Sequence, residues 1–395
     1  MSEWKEYKLG EIANIQTGPF GSQLHQSDYV DVGIPSIMPV NIGDRMNIST
    51  EKIVYITEED ATRLTRYRVQ EGDIVYSRRG DVEKCAYINK AESGWLCGTG
   101  CLRISIDSSK ADSKFIAYYL STEDMKSWIS NNAVGTTMPN LNSSILQQVP
   151  LSMPSLDEQK RIASILSSLD DKIDLLNREN VTLEAMAETL FRQWFIEEAK
   201  EEWEEGKLGD ILSVKGGTTP STKEPSFWNG NIAWTSPRDV TTLKGLYLFK
   251  TEKTITEAGL ERICSGLLPK GTLLMSSRAP VGVLAFAEIP LAINQGYIAI
   301  LDDKGYAKEF IYLWLKANMD LVHSYSNGST FMEISKSAFK SLDVIIPSKT
   351  EVNNFIKTIK PYFEKIKLNE QQIRLITQKR DILLPKLMSN EINIK

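Results

Sequence analysis

Apolar residues recur along two stretches of the chain at spacings that alternate between four and three. From Asp157 onward they fall at Ile162, Leu166, Leu169, Ile173, Leu176, Leu183, Ala187, Leu190 and Trp194, with Asn180 as the polar member of the series. The run returns near the end at Phe355, Ile359, Tyr362, Ile366, Ile373, Ile376, Leu383 and Leu387, with Asn369 and Arg380 in line. Heptads sustained over this length predict one long helix in each stretch and a coiled coil between them. At ~1.5 Å per residue, ~40 residues make a rod of about 60 Å that cannot bury its stripe alone. The alternative is two amphipathic helices, each packed on its own domain. A lone asparagine in each seam fixes register. An antiparallel pair sets Asn180 against Asn369, Ile162 against Leu387 and Trp194 against Phe355. A parallel pair of equal register sets Asn180 against Ile373 and leaves both amides unpaired, which is costly. The antiparallel pair is therefore expected.

The stretches before each helix carry a different pattern. Short β-like runs such as Asp73 to Ser77 and Gly271 to Met275 are broken by Gly, Pro, Asn and Asp, and helical pieces run from Ser113 to Ile129 and from Ala307 to Leu321. This predicts an α+β fold with a mainly antiparallel sheet. The two stretches are also copies. Trp4-Lys5-Glu6-Tyr7-Lys8-Leu9-Gly10-Glu11-Ile12 returns as Trp203-Glu204-Glu205-Gly206-Lys207-Leu208-Gly209-Asp210-Ile211, a shift of 199 residues. Gly72 to Arg79 aligns with Gly271 to Arg278, and Leu151 to Ser155 with Val344 to Ser348, as the shift drifts to 193. A period this long means two related domains in tandem, not a solenoid. The scaffold pattern persists while many polar positions differ, which suggests one fold with two specificities. The expected segments are 1–150 and 203–345 for the α+β domains, and 151–202 and 346–395 for the helical parts.

Composition narrows the class. The 395 residues are 42% apolar and 25% charged, ordinary for a globular protein. Met1 to Glu6 has no apolar core of a secretory signal, and no apolar run is long enough to span a membrane, so a cytoplasmic location is expected. Cysteines stand at 85, 97, 101 and 264; with one close pair and no histidine cluster they read as reduced and buried rather than as metal ligands. Net charge is −5 overall, but it divides as −4 over 1–150, −6 over 151–202, 0 over 203–345 and +5 over 346–395. The two helical segments are opposite in sign, which favours their association. Neither large segment is strongly basic, so DNA bound by them is bound weakly without a partner that neutralises phosphate.

Order and doubling of these parts resemble the specificity subunit of type I restriction–modification enzymes. The Trp4 and Trp203 strings resemble that family's opening of a target-recognition domain. Pro154-Ser155-Leu156-Asp157-Glu158-Gln159-Lys160-Arg161-Ile162 resembles the opening of its first conserved helix, and Leu190-Phe191-Arg192-Gln193-Trp194-Phe195 the close. Leu383 to Ile392 resembles the C-terminal ending. The second helix departs at its start, where Pro347 to Asn354 lacks the Glu-Gln pair. The resemblance implies two target-recognition domains separated by two long helices in an intramolecular antiparallel coiled coil. It implies double-stranded DNA with a bipartite site as ligand, each domain reading one half and the helices setting the spacer. It implies two methyltransferase subunits and restriction subunits as partners, to which S-adenosylmethionine, ATP and magnesium would belong, and a non-catalytic chain. In keeping with that, no Asn-Pro-Pro-Tyr or Asp-Pro-Pro-Tyr string and no Walker-type loop is present, Gly18-Pro19-Phe20-Gly21 is too short for a nucleotide-binding turn, and His25 and His323 are the only histidines. A non-catalytic coiled-coil adaptor holding two protein-binding domains is the alternative.

Base edges are read by Arg, Lys, Asn, Gln, Ser and Thr, so polar loops at matching places in both repeats are the candidates. Arg78 and Arg79 follow one β-like run and Ser277 and Arg278 its copy; the competing reading is a surface salt bridge, to Asp81 or Glu83 for example. Gln16 and Thr17, and Lys215, Thr218 and Thr219, border glycines that allow close backbone approach. Thr136 and Thr137, with Ser329 and Thr330, form hydroxyl loops suited to phosphate. Asn41 and Arg238 follow other runs. Leu190, Phe191, Trp194 and Phe195, and Leu383, Leu384 and Leu387, crowd more apolar bulk at a helix end than a seam needs. That surplus is expected to dock the methyltransferase subunits, the alternative being contact with the adjacent recognition domain.

Overall fold

The computed structural model describes residues 4–135, 139–326 and 332–392, in two compact units. Unit 1 joins Met1–Asp171 to Ile376–Lys395, and unit 2 is Lys172–Leu375. Each unit thus contains one α+β domain and a part of both long helices, so compactness does not follow the segment boundaries expected from the pattern. Among the described residues no helix is long and apolar enough to cross a membrane.

In unit 1 an antiparallel sheet takes the order Ala13–Thr17, Cys101–Ile106, Ile74–Ser77, Cys85–Tyr87. A second sheet takes the order Tyr29–Val30, Val54–Ile56, Ile34–Ile37, Leu96–Cys97, with its last pairing parallel. The central strand shows why the fold has two cores. Side chains alternate across a strand. Ile74 and Tyr76 enter the core shared with Phe115 and Ile116 of the helix Ser113–Leu120, while Val75 enters the one shared with Ile37, Cys97 and Cys101. Both faces are covered, so the run is continuously apolar rather than alternating. The Asp112 side chain caps that helix by accepting from the Phe115 N–H at 2.8 Å.

Unit 2 repeats the plan with a five-stranded sheet in the order Ser213–Gly216, Tyr297–Leu301, Leu273–Ser276, Leu284–Ala287, Tyr247–Leu248, and a three-stranded sheet of Lys253–Ile255, Trp228–Thr235 and Leu291–Ile293. In each unit the strand that opens the domain pairs antiparallel with the strand that ends it: Lys5–Lys8 with Pro150–Met153, and Glu204–Lys207 with Asp343–Ile346.

The long helices are Leu156–Arg192 and Lys349–Met388. Their pairing is antiparallel in both units. In unit 1 the start of the first (Ile162, Ala163, Leu166) shares a core with the end of the second (Leu383, Leu384, Leu387, Met388). In unit 2 the end of the first meets the start of the second, with the Trp194 and Phe355 rings 5.6 Å apart. The expected amide pair is present: Asn369 Nδ2 donates to Asn180 Oδ1 at 2.8 Å and also to Glu179 Oε2 at 2.9 Å. Asn369 is 1% exposed, so its replacement by leucine should destabilise unit 2 by about 1–3 kcal/mol through the stranded Asn180 amide, and a second change, Asn180→Leu, should restore much of the loss. Chemical denaturation of the four chains of this cycle measures it; additive single effects would show that the amides do not hold the register.

Each helix also has a second buried face, turned to its domain. Gln159 sits at the first helix start, where its Oε1 accepts from Asp112 N at 2.9 Å and its Nε2 donates to Pro154 O at 2.9 Å. Its counterpart in the second helix is Val352, which is fully buried in the unit 2 core, so an apolar contact replaces the amide that the sequence lacks there. Tyr118 of unit 1 donates to Asp170 at 2.7 Å, and Arg380 Nη1 reaches the same carboxylate at 2.9 Å. In unit 2 Tyr312, one position earlier in the aligned helix, donates to Glu184 at 2.5 Å. Glu370, also buried, accepts from the Leu246 and Tyr247 N–H groups at 2.7 and 3.0 Å.

Candidate nucleic-acid interface

The pairing register brings three loops to one sheet edge in unit 1. Thr17 stands opposite Leu102 and Ser77 opposite Cys101, so the ends of two strands flank the start of the third. The Gly18 N–H donates to Cys101 O at 2.9 Å and the Arg78 N–H to Gly100 O at 2.8 Å. A Cβ on Gly18 would lie 2.3 Å from Gly98 O, so the absence of a side chain is what lets these two loops touch. A fourth segment joins at Arg78, whose carbonyl accepts from Leu141 N at 2.8 Å.

Two of these three bonds recur at the same edge in unit 2. Ser277 N donates to Gly296 O at 2.8 Å, and Ser277 O accepts from Ile334 N at 3.0 Å. Gly217 packs on Ile293 O, where a Cβ would come within 1.8 Å. Arg78 and Ser277 are therefore structural equivalents, as are Arg79 and Arg278, which bridge Asn140 and Glu333.

The individual candidates fare differently. Arg79 is exposed and makes no ion pair among the described residues, and Arg78 lies with its guanidinium carbon 5.4 Å from the Phe20 ring centroid. The acids named as rivals are engaged elsewhere: Asp81 is 3.2 Å from Lys84, and Glu83 accepts from Ser130 at 2.6 Å. In unit 2 the ion-pair reading holds for Arg278, which meets Glu333 at 3.2 Å. Lys215 is exposed and its Nζ reaches Ser265 O at 3.3 Å. Thr218 ties its loop down by donating to Arg262 O at 2.8 Å, while exposed Thr219 donates to Gln295 at 2.6 Å. Arg238 is exposed, 4.0 Å from Glu252. Thr17 is half-buried beside Gly18, and Gln16 accepts from Arg103 at 2.8 Å on the sheet itself. Thr136, Thr137, Ser329 and Thr330 lie outside the described residues.

Three expectations are corrected. Asn41 is fully buried; its Oδ1 accepts from Met38 N at 2.9 Å and its Nδ2 donates to Ser49 O and Glu51 O, so it shapes a turn and offers nothing to a base. Ser277 is 3% exposed, which removes its hydroxyl from the surface. The apolar surplus at the helix ends faces the adjacent α+β domains. Phe191 and Leu387 are 2% exposed, Trp194 and Phe195 join a ring cluster with Phe310 and Phe355, and Leu190, Leu383 and Leu384 pack on the same two cores. Burial also bears on the thiols: Cys85, Cys97 and Cys101 are buried as expected, and desolvation pushes Cys85 and Cys97 up to about 12, whereas Cys264 is exposed.

Two features escaped the pattern reading. Phe20 is 54% exposed on the loop edge, in a string too short to match any motif. Leu368 and Leu375 are each 59% exposed and seven residues apart, off the seam; the spacing itself was the available signal.

The chain thus carries one α+β domain twice, with equivalent loops that bear different side chains. The pattern described as the type I restriction modification DNA specificity domain matches residues 1–185 and again 200–378, and the chain belongs to that family. It is 34% identical over 194 residues to the specificity subunit of the type I restriction enzyme MjaIX of Methanocaldococcus jannaschii, an alignment that covers 49% of this chain and 45% of that one. It is 22% identical to the HindI specificity subunit of Haemophilus influenzae over 99% of this chain and 100% of the other. The crystal structure of the type I restriction–modification S subunit from M. genitalium shares the fold at a TM-score of 0.63 and 17% identity, covering 100% of this chain and 97% of that one.

Proposed function

We propose that this chain selects the DNA sequence for a type I restriction–modification system, each domain reading one half of a bipartite site while the antiparallel helices fix the unread gap. The observation that carries the reading is the loop edge built twice, with matching backbone bonds at Arg78 and Ser277, and furnished with different polar side chains: Arg78 and Arg79 in one copy, Thr219 and Arg278 in the other. Phosphate contacts position a protein, whereas base contacts specify. A conserved frame with altered side chains is what two different half-sites require. The chain performs no chemistry of its own. Two methyltransferase subunits bring S-adenosylmethionine, and restriction subunits bring ATP- and magnesium-dependent cleavage, all in the cytoplasm. Leu368 and Leu375, with Leu175 and Val181 at 50% and 69% exposure on the first helix, are apolar surface suited to a methyltransferase subunit.

Co-expression with the cognate methyltransferase and single-molecule sequencing of methyladenine tests this. One bipartite motif with an unread gap is expected. Methylation by the partner alone, or none from a soluble complex, would favour a coiled-coil adaptor instead.

A further inference from the structure

Phe20 is a large ring held out in water on a turn with little freedom. The Gln23 and Leu24 N–H groups donate to Phe20 O at 2.8 and 3.2 Å, and the Gly18 N–H anchors the other side of the turn on Cys101 O. The Arg78 guanidinium lies over the ring, within the ~6 Å range of a cation–π contact. Arg78 Nε is shielded from solvent and has no hydrogen-bond partner among the described residues. Among the described residues the guanidinium is thus oriented by an aromatic face rather than by an acid, which suits its fork to an acceptor from outside.

The second repeat supplies an internal comparison. Arg78 is replaced there by Ser277, fixed as its equivalent by the matching bonds to Gly100 and Gly296. Counting from the equivalent glycines 18 and 217, Phe20 is replaced by Thr219, which bonds to Gln295. Ring and guanidinium are therefore present together in one repeat and absent together from the other, as befits the two parts of one device.

We propose that Phe20 and Arg78 form a single base-reading head for the half-site of the first repeat. The Arg78 fork takes a guanine through O6 and N7, and the Phe20 ring packs on the neighbouring base while holding the fork in plane. This rests on the DNA-recognition reading above. DNA is favoured over a protein ligand because Arg79 stands exposed beside the pair and the loop's own acids bond to Lys84 and Ser130 rather than to either arginine.

The test uses the complete complex with its methyltransferase, carrying Phe20→Ala, Phe20→Leu or Arg78→Lys. Its readouts are the methyladenine motif and competition binding with oligonucleotides altered one base pair at a time. All three variants should lose discrimination at the same G·C pair of one half-site, by about 5- to 150-fold, with the other half-site unchanged. Lysine keeps the charge but lacks the fork, so Arg78→Lys separates base reading from general attraction. Phe20→Leu and Arg78→Lys carry the test if the alanine variant fails to fold. Unchanged discrimination alongside a normal native motif would overturn the pair alone. So would a uniform loss of affinity at every sequence, which marks a phosphate contact, or loss of the methyltransferase from the complex, which marks Phe20 as a protein contact. A native complex that writes no bipartite motif would overturn the recognition reading and the pair with it.

Discussion

Phe355→Ala should lower the stability of unit 2 by about 3–5 kcal/mol, the range for truncating a large buried ring. Phe355 is fully buried at the junction of both long helices and the second recognition domain. Its ring centroid is 6.1 Å from Phe191, 5.6 Å from Trp194 and 4.9 Å from Phe195, all at the end of the first helix. Phe195 in turn lies 5.0 Å from Phe310 in the domain and 5.8 Å from Trp203. Edge-to-face ring contacts of this kind add to the area buried. The alanine cavity would loosen three elements at once, and Phe355→Leu, which keeps most of the volume, should cost clearly less. Chemical denaturation followed by near-ultraviolet dichroism measures both. A loss below about 1 kcal/mol for alanine would mean that the cluster does not hold the helices to the domain.

Acidification from pH 8 to pH 5 should stabilise unit 2 through Glu370, and Glu370→Gln should abolish that part of the pH dependence. Burial pushes the Glu370 carboxyl from 4.5 up to about 7, and the negative charges of Glu184 and Glu288 push the same way; the Leu246 and Tyr247 N–H donors oppose the rise without cancelling it. Because the folded value lies above the unfolded one, the contribution is fully present below about pH 4.5 and is lost as pH rises through about 7. A rise of this size corresponds to at most about 3 kcal/mol. The two acids are themselves paired: Lys316 lies 3.1 Å from Glu184, and Lys270 and Lys367 lie 2.9 and 3.8 Å from Glu288. Parallel melts of the native and Glu370→Gln chains between pH 5 and 8 isolate this group from the others. Equal slopes in the two would refute it. Glu370→Ala should be the harsher change at every pH, since it strands two backbone donors.

The helices were legible because a seam is a local periodicity: every residue that mattered to the Asn180–Asn369 register lay in one of two short stretches. Duplication gave the domain plan for the same reason. The second helix face was not legible. Phe363 and Glu370 fall outside the heptad positions, and their burial depends on a domain whose path no local pattern reveals. The aromatic surplus at Leu190 to Phe195 was visible as a surplus, but the sequence could not say whether its partner was another chain or Phe310 of its own. The recognition edge was half legible. Alignment of the repeats found Arg78, Arg79 and Arg278, because glycines and strand ends mark loops. It also proposed Asn41 and Ser277, since a polar side chain that bonds its own backbone looks the same in sequence as one that faces solvent. Phe20 gives no such signal, because an exposed ring has no polar signature.

The pairing of Lys5–Lys8 with Pro150–Met153, and of Glu204–Lys207 with Asp343–Ile346, brings the entrance and exit of each domain side by side. A block whose two ends meet in one antiparallel ladder can be cut out and replaced without altering the path of what flanks it. Exchange between Trp4 and Pro154, or between Trp203 and Pro347, would therefore replace one domain while leaving Asn180 and Asn369 of the helices in place. On the reading proposed above, that would make specificity a replaceable cartridge, exchanged in a single step rather than by accumulation of point changes.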